Sequence, residues 1–278
     1  MTTACPICTS DTVSLWKTDE ADYRRCPKCD YLKPCATGLK PLELNVQIYT
    51  EKFDERLSTA SVVDPKRARK YGRLLAAVAS RRSTGNFLDI GCGAGRLLQV
   101  AAARQWQAFG ADPAMTNAAR QKRDGITIVP RVLQECGFED GFFDVVHANE
   151  VAEHVPDVSD LVGEIARILR PGGVVVFRTP HYRSWSARLV GSRWRQYGLW
   201  GKGHVGFLSV KTFRYLFSQH SLRLNRVETQ HFSVRDWWGE KRSPLRRIVH
   251  RVCRLVEPIV RLTHNGERLT VWGEKPSA

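Results

Sequence analysis

Asn86–Val100 reads NFLDIGCGAGRLLQV. A short apolar run ends in Asp89, glycines follow at Gly91, Gly93 and Gly95, and a helix-forming segment takes over. Glycine adopts backbone conformations closed to other residues and lets a ligand approach the main chain. The helix N-terminus behind it is electropositive. Strand, glycine turn and helix in that order predict a ligand held outside the carboxyl end of a strand. The glycine spacing alone does not name that ligand.

Working outward, the hydrophobic pattern alternates. Phe87–Ile90, Ala108–Ala111, Ile126–Val129, Phe143–Ala148 and Val174–Arg178 are expected strands. Gly95–Arg104, Pro113–Arg123 and Val158–Leu169 are the helices between them, and Pro65–Arg82, with Tyr71, Leu74, Leu75 and Val78 at helical spacing, is a further helix upstream. Strands alternating with helices give an α/β fold with a doubly wound parallel sheet. At the end of the second strand Asp112 is placed to accept both hydroxyls of a ribose. Capping a helix ahead of Pro113 and Ala114 is a compatible second role.

The N-terminus has its own character. Cys5-Pro-Ile-Cys8 and Cys26-Pro-Lys-Cys29 are two C-x-x-C knuckles separated by seventeen residues. Two such pairs complete a closed tetrahedral Zn²⁺ site, structural or interactive because no coordination position stays open. With TVSLWKT and YRR as short strands, Cys5, Cys8, Cys26 and Cys29 predict a zinc ribbon, and Cys35 is a bystander. The domain plan is a ribbon over 1–35, a connector over 36–64, the α/β domain over 65–235 and 266–278, and a basic amphipathic helix over 236–265.

The 278 residues carry 43 Lys and Arg against 28 Asp and Glu, a net charge of +15. That surplus favours an anionic partner: nucleic acid, a membrane surface or a phosphorylated substrate. No run approaches the roughly 18 apolar residues of a membrane span, and MTTACPICTS lacks a signal pattern. A cytoplasmic protein is therefore expected, in which cysteines ligate metal before forming disulfides.

LDIGCGAGRLL, then GADPA, then FFDVVHANEVAEHV and LRPGGVVVFRTP resemble, in order and spacing, the class I S-adenosylmethionine-dependent methyltransferases. The resemblance covers about residues 65–230, with a closing strand at Leu269–Gly273, and the N-terminus is similar to bacterial zinc-ribbon members found with sugar and cell-envelope pathways. It implies a seven-stranded Rossmann-like sheet with a reversed final hairpin and S-adenosyl-L-methionine as cofactor. Asp89, Gly91, Cys92, Gly93 and Gly95 would then surround the cofactor's methionine part, and Asp112 with Pro113 its ribose. Asn149 would complete the set, and Leu133 would stand where members often carry an acidic residue for adenine, making those contacts apolar and backbone-mediated.

After the fourth strand, Glu150, Glu153 and His154 form E-x-x-E-H, which on a helical turn would share a face. The pattern resembles the metal-binding motif of ubiquinone-pathway O-methyltransferases and of small-RNA 2′-O-methyltransferases, where a later histidine joins. Gly201-Lys202-Gly203-His204 is similar to that later segment. Mg²⁺ or another divalent ion on Glu150, Glu153, His154 and His204 would lower the pKa of an acceptor hydroxyl. In metal-free members the Glu-His pair shapes the pocket, and His154, His181 or His204 is then a candidate general base.

Two segments remain. In YRSWSARLVGSRWRQYGLWGKGH (182–204), Trp185, Trp194, Tyr197 and Trp200 alternate with Arg183, Arg188, Arg193, Arg195 and Lys202. This reads either as a lid whose aromatics meet a base, sugar or lipid or as one packed by its own aromatics. SPLRRIVHRVCRLVEPIVRL (243–262) fits an interfacial helix attracted to anionic headgroups or a helix docked on its own protein, with Cys253 buried. The expected function is O-methylation of a small-molecule, glycan or lipid-linked acceptor, with peripheral contact to an anionic membrane's inner face. The alternative is an RNA methyltransferase gripping phosphates with ribbon and basic surface; HANE in place of an N-P-P-type tetrad tells against it. A non-catalytic cofactor-binding scaffold is the third reading, and the intact Asp89, Gly91, Gly93 and Asp112 tell against that.

Overall fold

A computed structural model of the chain describes residues 4–18, 21–35, 63–79, 84–115, 125–197, 203–234 and 244–277, with side chains left out over 244–250. At the N-terminus β1 (Val13–Lys17), β2 (Asp22–Arg25) and β3 (Leu32–Cys35) pair antiparallel in that order. The two knuckles fold alike. The residue after each second cysteine, Thr9 or Asp30, takes a left-handed conformation (φ 58° and 60°), and the first cysteine's N–H donates to the carbonyl of the next residue on, Ser10 or Tyr31. β3 is an addition to the expected ribbon. Its four residues include Lys33 and Pro34, which give no strand signal and suit an edge.

α1 (Pro65–Ala79) precedes a seven-stranded sheet in the order β6-β5-β4-β7-β8-β10-β9. The strands are β4 (Asn86–Ile90), β5 (Gln107–Ala111), β6 (Ile126–Val129), β7 (Phe143–Asn149), β8 (Leu169–Pro180), β9 (Arg223–Gln230) and β10 (Arg268–Glu274). β6, β5, β4, β7 and β8 are parallel, and β10 runs antiparallel between β8 and β9. This is the sheet with the reversed final hairpin that the resemblance implies. Leu88, Ile90, Val146 and Phe177 face a layer holding α3 (Val158–Ile168) and α5 (Val210–Gln219). Phe87, Val145 and Val176 face α1 and α2 (Arg96–Ala102). Both faces are covered, so the central strands read as unbroken apolar runs.

Boundaries shifted for local reasons. α2 starts after Gly95, whose left-handed φ of 65° is the cap. β8 outruns Val174–Arg178 at both ends, its pairing with β10 reaching Pro180. β9 escaped notice because RLNRVETQ is polar and half-exposed at the sheet edge. Most of Pro113–Arg123, most of the connector, Trp200, Lys202 and the stretch from residue 235 to 243 lie outside the described residues.

The lid is packed by its own aromatics. Trp194, Tyr197 and Phe207 are buried with Tyr23 and Tyr182, around α4 (Trp185–Val190). The ribbon forms part of this packing. Leu32 and Phe207 exchange backbone hydrogen bonds of 3.1 and 2.8 Å. The Asp30 carbonyl accepts from Tyr182 Oη (2.8 Å) and Thr212 Oγ1 (3.0 Å), and Tyr23 Oη donates to the Tyr197 carbonyl.

α6 (Pro244–Leu262) has one side docked on the protein and one side exposed. One side is docked: Cys253 and Val260 are buried, and Glu257 accepts from the backbone of His231 (2.7 Å) and Phe232 (2.9 Å). The other side leaves Val252, Leu255, Ile259 and Leu262 exposed by 52, 79, 53 and 82%. Among the described residues no helix is long and apolar enough to cross a membrane.

Candidate functional site

A cavity of about 550 Å³ opens at the carboxyl ends of β4, β5 and β7. Of the residues expected to hold a cofactor, Gly91, Asp112, Pro113, Leu133 and Asn149 line it. Gly91 is held at φ 66°, and a Cβ there would lie 2.7 Å from Val151 Cγ2. The Asp112 carboxylate accepts from the N–H of Gly93 (2.8 Å) and of Ala114 (2.9 Å), and its burial raises its pKa. The glycine turn is thereby fixed to the end of β5.

Asp89, Cys92, Gly93 and Gly95 do not line the cavity. Asp89 Oδ1 bonds His147 Nδ1 at 2.7 Å. Cys92 Sγ packs on Gly110, where a Cβ would come within 2.6 Å of it. His147 was missed as Asp89's partner, and its only signal was a lone imidazole inside an apolar strand. The wall around Leu133 also carries charged groups. Leu133 is buried, but Glu135, Asp157 and Asp160 also line the cavity, and Asp160 accepts from Gln134 Nε2 at 2.7 Å.

The E-x-x-E-H segment departs from its expected geometry. Residues 152–154 form a turn, but Glu150 adopts φ 58°, a conformation that is strained for a non-glycine residue. This swings Glu150 to pair with Arg268 on β10, so it does not join the other three. Glu153, His154 and His204 do converge, with ligand atoms within 4.8 Å of one another. Glu153 is fully buried. Its Oε2 accepts from Thr179 Oγ1 at 2.9 Å, and its Oε1 has no hydrogen-bond partner. Burial first, and then the Glu150 charge, push its carboxyl up. His154 Nδ1 lies 3.1 Å from the Gly203 carbonyl and His204 Nδ1 2.8 Å from the Gln196 carbonyl. A carbonyl only accepts, so each Nδ1 carries a proton.

His181 is a correction. It is buried at 3% exposure, lines neither this cavity nor the next, and sets Nδ1 3.2 Å from the Gly266 carbonyl. Desolvation pushes its pKa down to about 4. β8 runs on to Pro180 and tucks His181 under the lid beside Leu208.

A second cavity of about 460 Å³ shares Asn149 and Glu150 with the first. Lys70 of α1, Arg178 of β8, Arg195 of the lid and Arg268 of β10 line it, with Glu267. No local pattern announces this cleft, because its members come from six separated segments.

A family model described as a methyltransferase domain matches residues 63–226. The ubiquinone biosynthesis O-methyltransferase of Bradyrhizobium sp. (strain ORS 278) is 36% identical over 116 residues, 39% of this chain and 46% of that one. Its counterpart from Methylococcus capsulatus is 32% identical over 133 residues, 45% and 54% of the two chains. The chain thus spans about half the length of the curated relatives it matches. Phosphoethanolamine N-methyltransferase 2 of Haemonchus contortus, solved with phosphomonomethylethanolamine and S-adenosylhomocysteine, shares the fold at a TM-score of 0.57 and 14% identity, over 89% of this chain and 62% of that one.

Proposed function

The chain belongs to the methyltransferase-domain family, and from that premise we propose that it is an S-adenosylmethionine-dependent O-methyltransferase of a small-molecule, glycan or lipid-linked acceptor. One observation carries the reading. The cavity bearing Gly91 and Asp112 has His154 in its wall, and His154 stands with Glu153 and His204. A sulfonium methyl group is already activated, so most of the catalysis is alignment of donor and acceptor. An oxygen acceptor must also lose a proton.

The three converging side chains suit that second task. The Glu153 carboxylate oxygen left without a hydrogen-bond partner, converging with the imidazoles of His154 and His204, fits a divalent ion, and the backbone carbonyls on both Nδ1 atoms hold the two rings in orientation. Such an ion, when bound, supplies Lewis-acid stabilisation of an acceptor oxygen. Without it, His154 in the cavity wall is the residue placed to take the proton. The sequence similarity to ubiquinone-pathway O-methyltransferases supports oxygen as the acceptor atom.

Cys5, Cys8, Cys26 and Cys29 hold a structural Zn²⁺ in this reading. All four are buried and converge, with Sγ pairs at 3.5 and 3.4 Å, near the ~3.8 Å edges of a tetrahedron with Zn–S bonds of about 2.3 Å. The ion braces the ribbon, the ribbon pairs with Phe207, and Phe207 lies three positions beyond His204. The exposed stripe of α6 lies among Arg251, Arg254 and Arg261, a combination that supports peripheral binding to an anionic leaflet and access to a lipid-linked acceptor.

The test is methyl transfer by the purified chain before and after a chelator, with zinc content measured in the same samples. Turnover that falls while zinc is retained, and returns with Mn²⁺ or Mg²⁺, supports the divalent site. Undiminished turnover in chelator refutes it and leaves His154 as the base.

A further inference from the structure

The second cavity carries more positive charge than its own residues neutralise. Lys70, Arg178, Arg195 and Arg268 face it with two carboxylates, Glu150 and Glu267. Glu150 is taken by Arg268, and Glu267 Oε1 accepts from Trp194 Nε1 at 3.2 Å. Among the described residues no carboxylate forms an ion pair with Lys70 or Arg178. Like charges crowd there: partial desolvation at the cleft first, and then Arg178 and Arg268, push Lys70 down although its side of α1 is exposed, and burial and Arg268 do the same to Arg178. Partial burial also holds His231 below its usual value, so it adds no charge at neutral pH. The described lining is left with a surplus of two positive charges.

A cleft that sets Lys70 and Arg178 together beside Arg268, with no carboxylate among the described residues paired to either, is electrostatically unfavourable when empty, and an anion relieves it. Guanidinium groups match phosphate oxygens in geometry, and lysine matches them as a point charge. A surplus of two calls for a dianion. A phosphate ester carries about −1.5 to −2 at neutral pH, while a single carboxylate carries half that. The cleft touches the cofactor cavity at Asn149 and Glu150, so a group held in it belongs to the molecule presented to the methyl donor.

We propose that this cleft is the acceptor's anchor and that the acceptor is a phosphate or diphosphate ester, held by Lys70, Arg178, Arg195 and Arg268 with its methylated hydroxyl toward the cofactor cavity. This rests on the methyltransferase reading of the first cavity and narrows its acceptor class. A free sugar phosphate and a lipid-linked diphosphate present the same chemistry.

The experiment titrates inorganic pyrophosphate into the full chain loaded with S-adenosylhomocysteine, by calorimetry, with acetate as the monoanionic control. Cofactor-product binding is measured first in every sample. The expected result is saturable pyrophosphate binding that weakens at least tenfold in Arg178→Gln and in Lys70→Gln, with S-adenosylhomocysteine affinity unchanged and acetate silent. Lys70 lies on the exposed side of α1, so its variant keeps the test valid if Arg178→Gln fails to fold. Pyrophosphate affinity that neither variant alters is binding to the general basic surface and overturns the inference, as does acetate binding of equal strength. Absent pyrophosphate binding with normal cofactor-product binding defeats the anchor and leaves the methyltransferase reading intact; loss of S-adenosylhomocysteine binding in the unaltered chain defeats both. Sugar phosphates and a short-chain lipid diphosphate, competed against pyrophosphate, then separate the two sources.

Discussion

His181 offers a measurement in which burial, charge and function meet. Its imidazole is enclosed, with the Gly266 carbonyl on Nδ1 and the cationic Arg188 and Arg183 as the nearest like charges. Desolvation lowers its pKa from 6.5 to about 4. The unfolded chain therefore binds a proton in that window that the folded chain refuses, and the sign follows: stability falls as pH drops from about 6.5 to about 4, then levels. At about 1.4 kcal/mol per pH unit the total is about 3 kcal/mol. His181→Gln keeps a donor for the Gly266 carbonyl and does not titrate. At pH 7.5 it should cost about 1 kcal/mol for an imperfectly replaced hydrogen bond. Urea unfolding of both proteins between pH 7.5 and pH 4 should show the difference narrow and then invert, the variant ending more stable by about 2 kcal/mol. Other titrating groups cancel in that comparison. Parallel pH profiles would refute the reasoning, since they would mean that the imidazole takes up its proton in the fold, and would restore His181 as a candidate base.

Other outcomes follow from the same geometry. Gly91→Ala places a Cβ 2.7 Å from Val151 Cγ2 on a backbone at φ 66°; a cost of about 1–3 kcal/mol and a cofactor affinity reduced more than tenfold should appear in thermal melts and in S-adenosylmethionine titration. Cys26→Ser should release zinc, measurable by metal analysis, and lower turnover beyond what stability explains, because the Leu32–Phe207 pairing that steadies the segment after His204 goes with the ribbon. Leu255→Glu with Leu262→Glu should abolish sedimentation with vesicles of anionic lipid and leave the melting temperature within a degree or two, both side chains being exposed; vesicle binding by the double variant equal to that of the unaltered chain would remove α6 from the membrane account.

The glycine stretch, the alternation around it and the two cysteine knuckles were legible in the sequence because each is a local pattern: a turn that needs positive φ, a period of two or 3.6, a fixed ligand spacing. What was not legible depended on contacts between distant segments. Glu150 resembles a metal ligand by spacing alone, and only the left-handed turn and Arg268, more than a hundred positions later, take it out of the group. His181 follows a strand end and reads as accessible until β8 is seen to pair with β10 as far as Pro180. Trp194 and Tyr197 read equally as ligand-stacking aromatics or as packing until Tyr23 of the ribbon arrives to cover them. The basic cleft had no sequence signal, since each of its cations sits among ordinary surface charges along the chain.

The central claim is tested by incubating the chain with methyl-labelled S-adenosylmethionine and separated lipid, glycan, small-metabolite and RNA fractions, with and without chelator. The expected result is label in a phosphate-bearing lipid, glycan or metabolite, as a methyl ether, and its loss when the divalent ion is removed. Label in RNA or on an amine nitrogen, or none in any fraction from a chain that binds the cofactor, would contradict it.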